Sequence, residues 1–112
     1  MKYLMFVATD AQPDPEPEAP HEIGDWFDAV NASGSWVTGD RLRPQSEAKT
    51  IRVRSGKLQV RDGPYAETKE AIVGFDILEC ASLDDAIEIA SKHPMARAGR
   101  IEIRQFWPLE DS

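Results

Sequence analysis

Three side chains in this sequence could move a proton near neutral pH. His93 stands in S-K-H-P, and an ordinary imidazole titrates close enough to neutrality to serve as acid or base without tuning. Asp62 heads D-G-P-Y, where its carboxylate could accept a proton or hold a ligand with Tyr65 donating a hydrogen bond. Asp76 interrupts the apolar part of the run Ile72–Cys80, on the side shared with Gly74 and Leu78; a carboxyl buried there needs a donor or a raised pKa, and either marks a candidate site. Each has a plainer role as well. A His in the last turn of a helix caps a carbonyl and suits the helix dipole. An Asp before Gly-Pro starts a turn through its own backbone. Asp76 could reach Arg104 or the rim of a sheet.

Arg52 and Arg54 could bind an anionic ligand, a carboxylate or phosphate, since both fall on one side of a strand. His21 and His93 supply two metal-ligand types, but no third ligand follows at metal spacing, so no metal and no cofactor is expected. The sequence has no Gly-rich phosphate loop and no Ser nucleophile elbow, which removes nucleotide hydrolysis and α/β-hydrolase chemistry. Cys80, the only cysteine, lies among Ile77, Leu78 and Ala81 and reads as a buried, inert thiol.

These residues must be held by a small set of elements. Lys2–Ala8 is apolar at nearly every position, the pattern of a strand covered on both faces. Asp10–Pro20 carries four prolines and four acids and predicts an exposed loop or lid. Ile23, Trp26, Phe27 and Val30 fall at i, i+3, i+4 and i+7 and predict a helix that Gly34 ends. Ser35–Thr38 is a short strand, with Gly39-Asp40 as its stop. Thr50–Arg54 and Lys57–Arg61 alternate around Ser55-Gly56 and predict a two-residue hairpin that pairs Arg54 with Lys57 and Val53 with Leu58. Its faces are opposites: Ile51, Val53, Leu58 and Val60 on one, Arg52, Arg54, Lys57 and Arg61 on the other. The apolar face is the one expected to be buried, and the register is well determined because a slip of one residue would bury the charge instead.

Ile72–Cys80 is a long strand with Gly74 as a bulge. Ser82 caps a helix with Asp85 as reciprocal partner, and Leu83, Ala86, Ile87 and Ala90 form its buried stripe before Lys92-His93-Pro94 ends it. Gly99–Trp107 closes as a strand. The order is β-α-β, a hairpin, then β-α-β: an α+β, ferredoxin-like antiparallel sheet, βαββαβ, with an inserted hairpin. One layer of helices covers one sheet face, and a second copy is the economical cover for the other, so a homodimer is expected. Trp26, Phe27, Trp36 and Trp107 read as core or dimer packing.

The 112 residues make one domain, 1–112. A net charge of −7 argues against nucleic acid as partner. The charge is uneven, with seven Lys or Arg against Glu47 alone over 41–61. The hairpin's basic face could meet solvent, the acidic 14–18 loop of its own or a partner chain, or a ligand anion. No apolar run approaches the roughly 20 residues needed to cross a bilayer, and no signal-peptide pattern opens the chain, so no membrane is expected. A lone cysteine fits a cytoplasmic setting.

The run V-R-D-G-P-Y-A-E-T-K-E-A-I-V-G-F over residues 60–75 resembles the signature of the D-G-P-F branch of the YCII-related family. The likeness continues through S-L-D-D-A-I-E-I-A and E-I-R-Q-F-W and is weakest over 10–35. It implies a ferredoxin-like fold paired sheet to sheet as a dimeric α+β barrel. The family is functionally uncharacterised, and enzymatic activity is implied only by likeness to other barrels of this kind. A shorter branch has a proposed site of a His on the first helix and an Asp before a Pro after the second. His93, before Pro94, takes the second place here, so the acid role does not carry over; near the first stands only His21. Two functions fit: a small-molecule enzyme using His93 and Asp62 or Asp76 on an anionic or carbonyl substrate, or a non-catalytic metabolite-binding or regulatory module acting through its dimer surface.

Overall fold

A computed structural model describes residues 1–15, 22–64 and 70–110. The elements are β1 (Lys2–Thr9), α1 (Ile23–Ala32), β2 (Trp36–Arg41), β3 (Lys49–Arg54), β4 (Lys57–Asp62), β5 (Ile72–Glu79), α2 (Leu83–Ser91), α3 (Met95–Ala98) and β6 (Gly99–Gln105). Four strands form one sheet in the order β2-β5-β1-β6, all neighbours antiparallel, and β3 and β4 pair apart from it. This is the expected α+β, ferredoxin-like sheet with an inserted hairpin.

Strand alternation decides which side of β1 is buried. Tyr3, Met5 and Val7 point into the core and are almost wholly covered. Their neighbours across the sheet are Leu78, Asp76 and Gly74 on β5, and Gln105, Ile103 and Ile101 on β6. Trp26 and Val30 of α1, Ala86 and Ala90 of α2, and Met95 of α3 all join this one cluster. Full burial of a side chain such as Met5 or Leu78 contributes about 2 kcal/mol. The opposite sheet face presents Leu4 and Phe6 beside Ile77 and Phe75, all partly exposed.

Local expectations hold where backbone chemistry is strongest. Ser82 Oγ accepts the Asp85 N–H at 3.2 Å and starts α2. Gly34 sits at φ 76°, just after the C-cap Ser33. Ser55 and Gly56 take φ 52° and 74°, the left-handed pair that a two-residue hairpin turn needs. The β3–β4 register is the expected one, Arg54 with Lys57 through Thr50 with Arg61, extended by Lys49 with Asp62.

Four expectations need correction. Gly39 does not stop β2; the strand bulges between Trp36 and Thr38 and runs on to Arg41. Gly39 is there because β5 comes so close: a Cβ would lie 2.5 Å from both Asp76 Oδ1 and the Phe75 carbonyl oxygen. The irregularity near Gly74 falls one residue earlier, at Val73, where Val7 faces Gly74 but Ala8 faces Ile72. Leu83 and Ile87 remain 50% and 49% exposed, because they line an open groove of about 870 Å³ against Ile101 and Ile103 instead of entering the core. The hairpin's apolar face is the fourth: Ile51, Val53, Leu58 and Val60 are 57–68% exposed. The hairpin stands off the body, and the radius of gyration is 16.4 Å, above the roughly 13 Å of a compact chain of about this length.

The close approach at Gly39 gives a direct test. Gly39→Ala should cost about 1–3 kcal/mol in urea denaturation, since strand backbone must move to admit the methyl group. Gly24→Ala in α1, where a Cβ meets nothing within 4 Å, should be neutral or stabilise by up to about 1 kcal/mol.

Candidate functional site

The first helix brings two of the sequence candidates into one layer. Trp26 and Phe27 are adjacent on α1 and therefore point about 100° apart. Trp26 turns towards the end of α2, where its ring meets His93 edge-on, centroids 4.7 Å apart, and its Nε1 donates to the Ile89 carbonyl at 2.9 Å. Phe27 turns towards β2 and meets Trp36 edge-on at 4.8 Å. Trp36 Nε1 in turn donates to Asp76 Oδ1 at 2.9 Å. An aromatic chain thus runs from His93 through Trp26, Phe27 and Trp36 to Asp76, between sheet and helices.

His93 is placed by the break between α2 and α3. Lys92 caps α2, Pro94 precedes α3, and His93 Nδ1 accepts the Met95 N–H at 3.0 Å. An accepting Nδ1 puts the proton of the neutral ring on Nε2. The residue is 6% exposed, and burial pushes its pKa below the ordinary histidine value. His93 therefore does cap backbone, as its helix-end position suggests, while lying inside the domain. Of the two places singled out by the family resemblance, the one before the proline holds His93, which packs on Trp26 of α1; His21, the residue near the other, lies outside the described residues.

Asp76 lies on the covered face of β5, opposite Met5 and Gly39. Burial pushes its carboxyl above the ordinary aspartate value, and the Trp36 hydrogen bond offsets only part of that. Trp36 is its partner in place of Arg104, which pairs with Leu4 and so belongs to the opposite sheet face. Among the described residues no buried side-chain N or O lacks a partner. Asp76 Oδ2 and His93 Nε2, which have none, therefore reach solvent.

The other candidates sit elsewhere. Asp62 ends β4, is 82% exposed in its side chain and pairs with Lys49, whose hydrogen bond and charge hold its carboxyl below the ordinary range. Arg52 and Arg54, with Thr50, Gln59 and Arg61, line a separate open groove of about 470 Å³ on the hairpin. Tyr65 and His21 lie outside the described residues. Cys80 is buried and its thiol pushed up by burial. Among the described residues no three His, Cys, Asp or Glu side chains converge as metal ligands.

Sequence reasoning missed the ionic ties beyond β1. Arg100 bonds Asp10 and Glu70, each at 3.0 Å, and Arg97 meets Asp14 at 3.8 Å. Separations of 30 to 90 residues leave no local signal for such pairs. The first acids of the proline-rich stretch are thereby held at α3 and β6, away from the basic hairpin.

Trp36→Phe removes the only donor to Asp76 among the described residues and should cost about 1.5–3 kcal/mol; adding Asp76→Asn should recover part of it. The two shifts carry opposite pH signs. With the folded pKa of Asp76 raised, the folded state holds the extra proton just above the ordinary aspartate value, so stability falls as pH rises through that window. With the folded pKa of His93 lowered, the unfolded state binds the extra proton just below pH 6.5, so stability falls on acidification through that window. Urea midpoints measured against pH should lose the first slope in Asp76→Asn and the second in His93→Gln.

The protein called uncharacterized protein R00369 of Rhizobium meliloti (strain 1021) is 50% identical over 50 residues, which are 45% of this chain and 40% of that protein. The match thus spans less than half of the relative's length. Among solved structures, the 5-chloro-2-hydroxyhydroquinone dehydrochlorinase TftG from Burkholderia phenoliruptrix AC1100, in complex with 2,5-dihydroxybenzoquinone, is similar over 98% of this chain and 97% of its own, with a TM-score of 0.42 and 14% identity. The model of the YCII-related domain matches residues 1–110, from β1 to beyond β6. That span takes in the D-G-P-Y run, the aromatic chain and both interior titratable residues, and the chain belongs to the YCII-related family.

Proposed function

We propose that this YCII-related protein is a small-molecule enzyme that transfers protons on an anionic or carbonyl substrate, working as a homodimer in the cytoplasm. The observation that carries the reading is Asp76: a half-buried carboxyl with one oxygen anchored by Trp36 Nε1 and the other unbonded among the described residues. Desolvation makes such a group hold its proton to higher pH than an exposed aspartate does, which suits proton transfer. Anchoring Oδ1 leaves Oδ2 to carry the transferable proton. His93 complements it with a neutral Nε2–H, a donor for a substrate carbonyl or oxyanion, whose aim is set by the Nδ1 bond to Met95. Asp62 suits this work less, because Lys49 stabilises its charged form. Arg52 and Arg54 would attract an anionic substrate from the hairpin.

The burial of His93 and the commitment of its Nδ1 to backbone favour a second reading as a metabolite-binding or regulatory module. A fixed Nε2–H serves recognition as well as catalysis. Homodimer formation is supported by the partly exposed Leu4, Phe6, Phe75 and Ile77 on the sheet face away from the helix cluster. Among the described residues no helix is long and apolar enough to cross a membrane.

Deuterium wash-in separates the two readings. Small 2-oxo and 1,3-dicarbonyl acids are incubated with the protein in D₂O and followed by NMR. The enzyme reading expects exchange at the enolisable carbon above the buffer rate, falling at least about 100-fold in Asp76→Asn. Binding by thermal shift without exchange would select the module, and equal exchange by Asp76→Asn would remove Asp76 from the chemistry.

A further inference from the structure

The hairpin is a two-faced arm whose apolar face stays uncovered. Ile51, Val53, Leu58 and Val60 stay more than half exposed in a contiguous patch two residue pairs long. Scattered apolar residues on a surface are ordinary, but a whole strand-pair face is not. The register keeps this face apolar deliberately, because the alternation sends Arg52, Arg54, Lys57 and Arg61 to the other side.

We infer that the occupant of this face is a second copy of the chain: each hairpin laps over the partner's body in the homodimer and buries its four aliphatic side chains there. The inference rests on the homodimer of the preceding subsection and specifies where the copies touch. Charge supports this occupant. The hairpin holds five Lys or Arg and one Asp, whereas the whole chain has a net charge of −7, so the remaining body is strongly acidic. A second acidic body attracts such an arm, whereas a nucleic acid or anionic membrane would be repelled by the chain's own acidic body.

Area supports it too. Four aliphatic side chains at this exposure offer roughly 200–300 Å² of apolar surface. A stable interface needs about 800 Å² per partner. The arm is therefore an addition to a larger contact and cannot be the whole of one. The described residues present another uncovered apolar sheet surface, that of Leu4, Phe6, Phe75 and Ile77. Packing the two sheets and lapping the arms in one closed, two-fold contact covers both of these surfaces at once.

Sedimentation velocity on Val53→Asp/Leu58→Asp tests the arm. Both residues are exposed within the monomer, so the fold should survive, checked by circular dichroism. The expected result is a dimeric wild type and a dissociation constant raised at least about 30-fold in the double variant, the change expected of central interface residues. Deuterium exchange over 49–62 of the unaltered protein should rise on dilution as the dimer dissociates. A dimer of unchanged affinity in the variant, with exchange independent of dilution, would overturn the arm and leave the homodimer standing. A wild type that stays monomeric would overturn both. A monomer whose melting temperature drops in the variant would assign the hairpin to its own body.

Discussion

A carboxylate on the covered face of a sheet must be given a donor, and much of this structure follows from how Asp76 receives one. The donor is an indole from the neighbouring edge strand. Trp36 can reach only if β2 bulges after it and then lies tight against β5, and that closeness leaves Gly39 no room for a side chain. Trp36 in turn offers its face to Phe27, which sets how α1 lies, and the next residue on α1 carries Trp26 to His93. One unsatisfied acid thus organises an edge strand, a helix and the break between α2 and α3.

The fold was legible because its signals are local. Alternation in β1, the i, i+3, i+4 spacing of α1, the Ser82 cap and the Ser55-Gly56 turn each follow from a few adjacent residues, and the hairpin register from a turn of two. Depth was less legible. Spacing says that Leu83 and Ile87 share a stripe with Ala86 and Ala90, yet only packing decides which side of a stripe meets the sheet. Gly39 misled for a related reason: in sequence a Gly-Asp pair signals a turn, while in space this glycine answers to a neighbouring strand.

The site divides along the same line. Asp76 was recognisable as an acid in the wrong company, and the structure half-buries it away from Arg104, with a partner that sequence could not name across 40 positions. His93 was recognisable by residue type and by its place before Pro94. Its companion Trp26 read only as core, because aromatic residues at helical spacing carry no sign of what they face. Asp62 drew attention through the D-G-P-Y run, whose first position closes a strand by pairing with Lys49. The ties of Arg100 to Asp10 and Glu70 had no sequence signature at all.

The strict two-sidedness of β3 and β4 restricts how this part of the molecule could change length. Adding one residue to each strand before the Ser55-Gly56 turn would keep the pairing but turn the tip inside out, setting guanidinium groups where aliphatic ones now stand. Adding two to each would leave both surfaces as they are and only extend the reach, by about 7 Å. Viable hairpins of this design therefore differ in whole pleats, growing or shrinking four residues at a time.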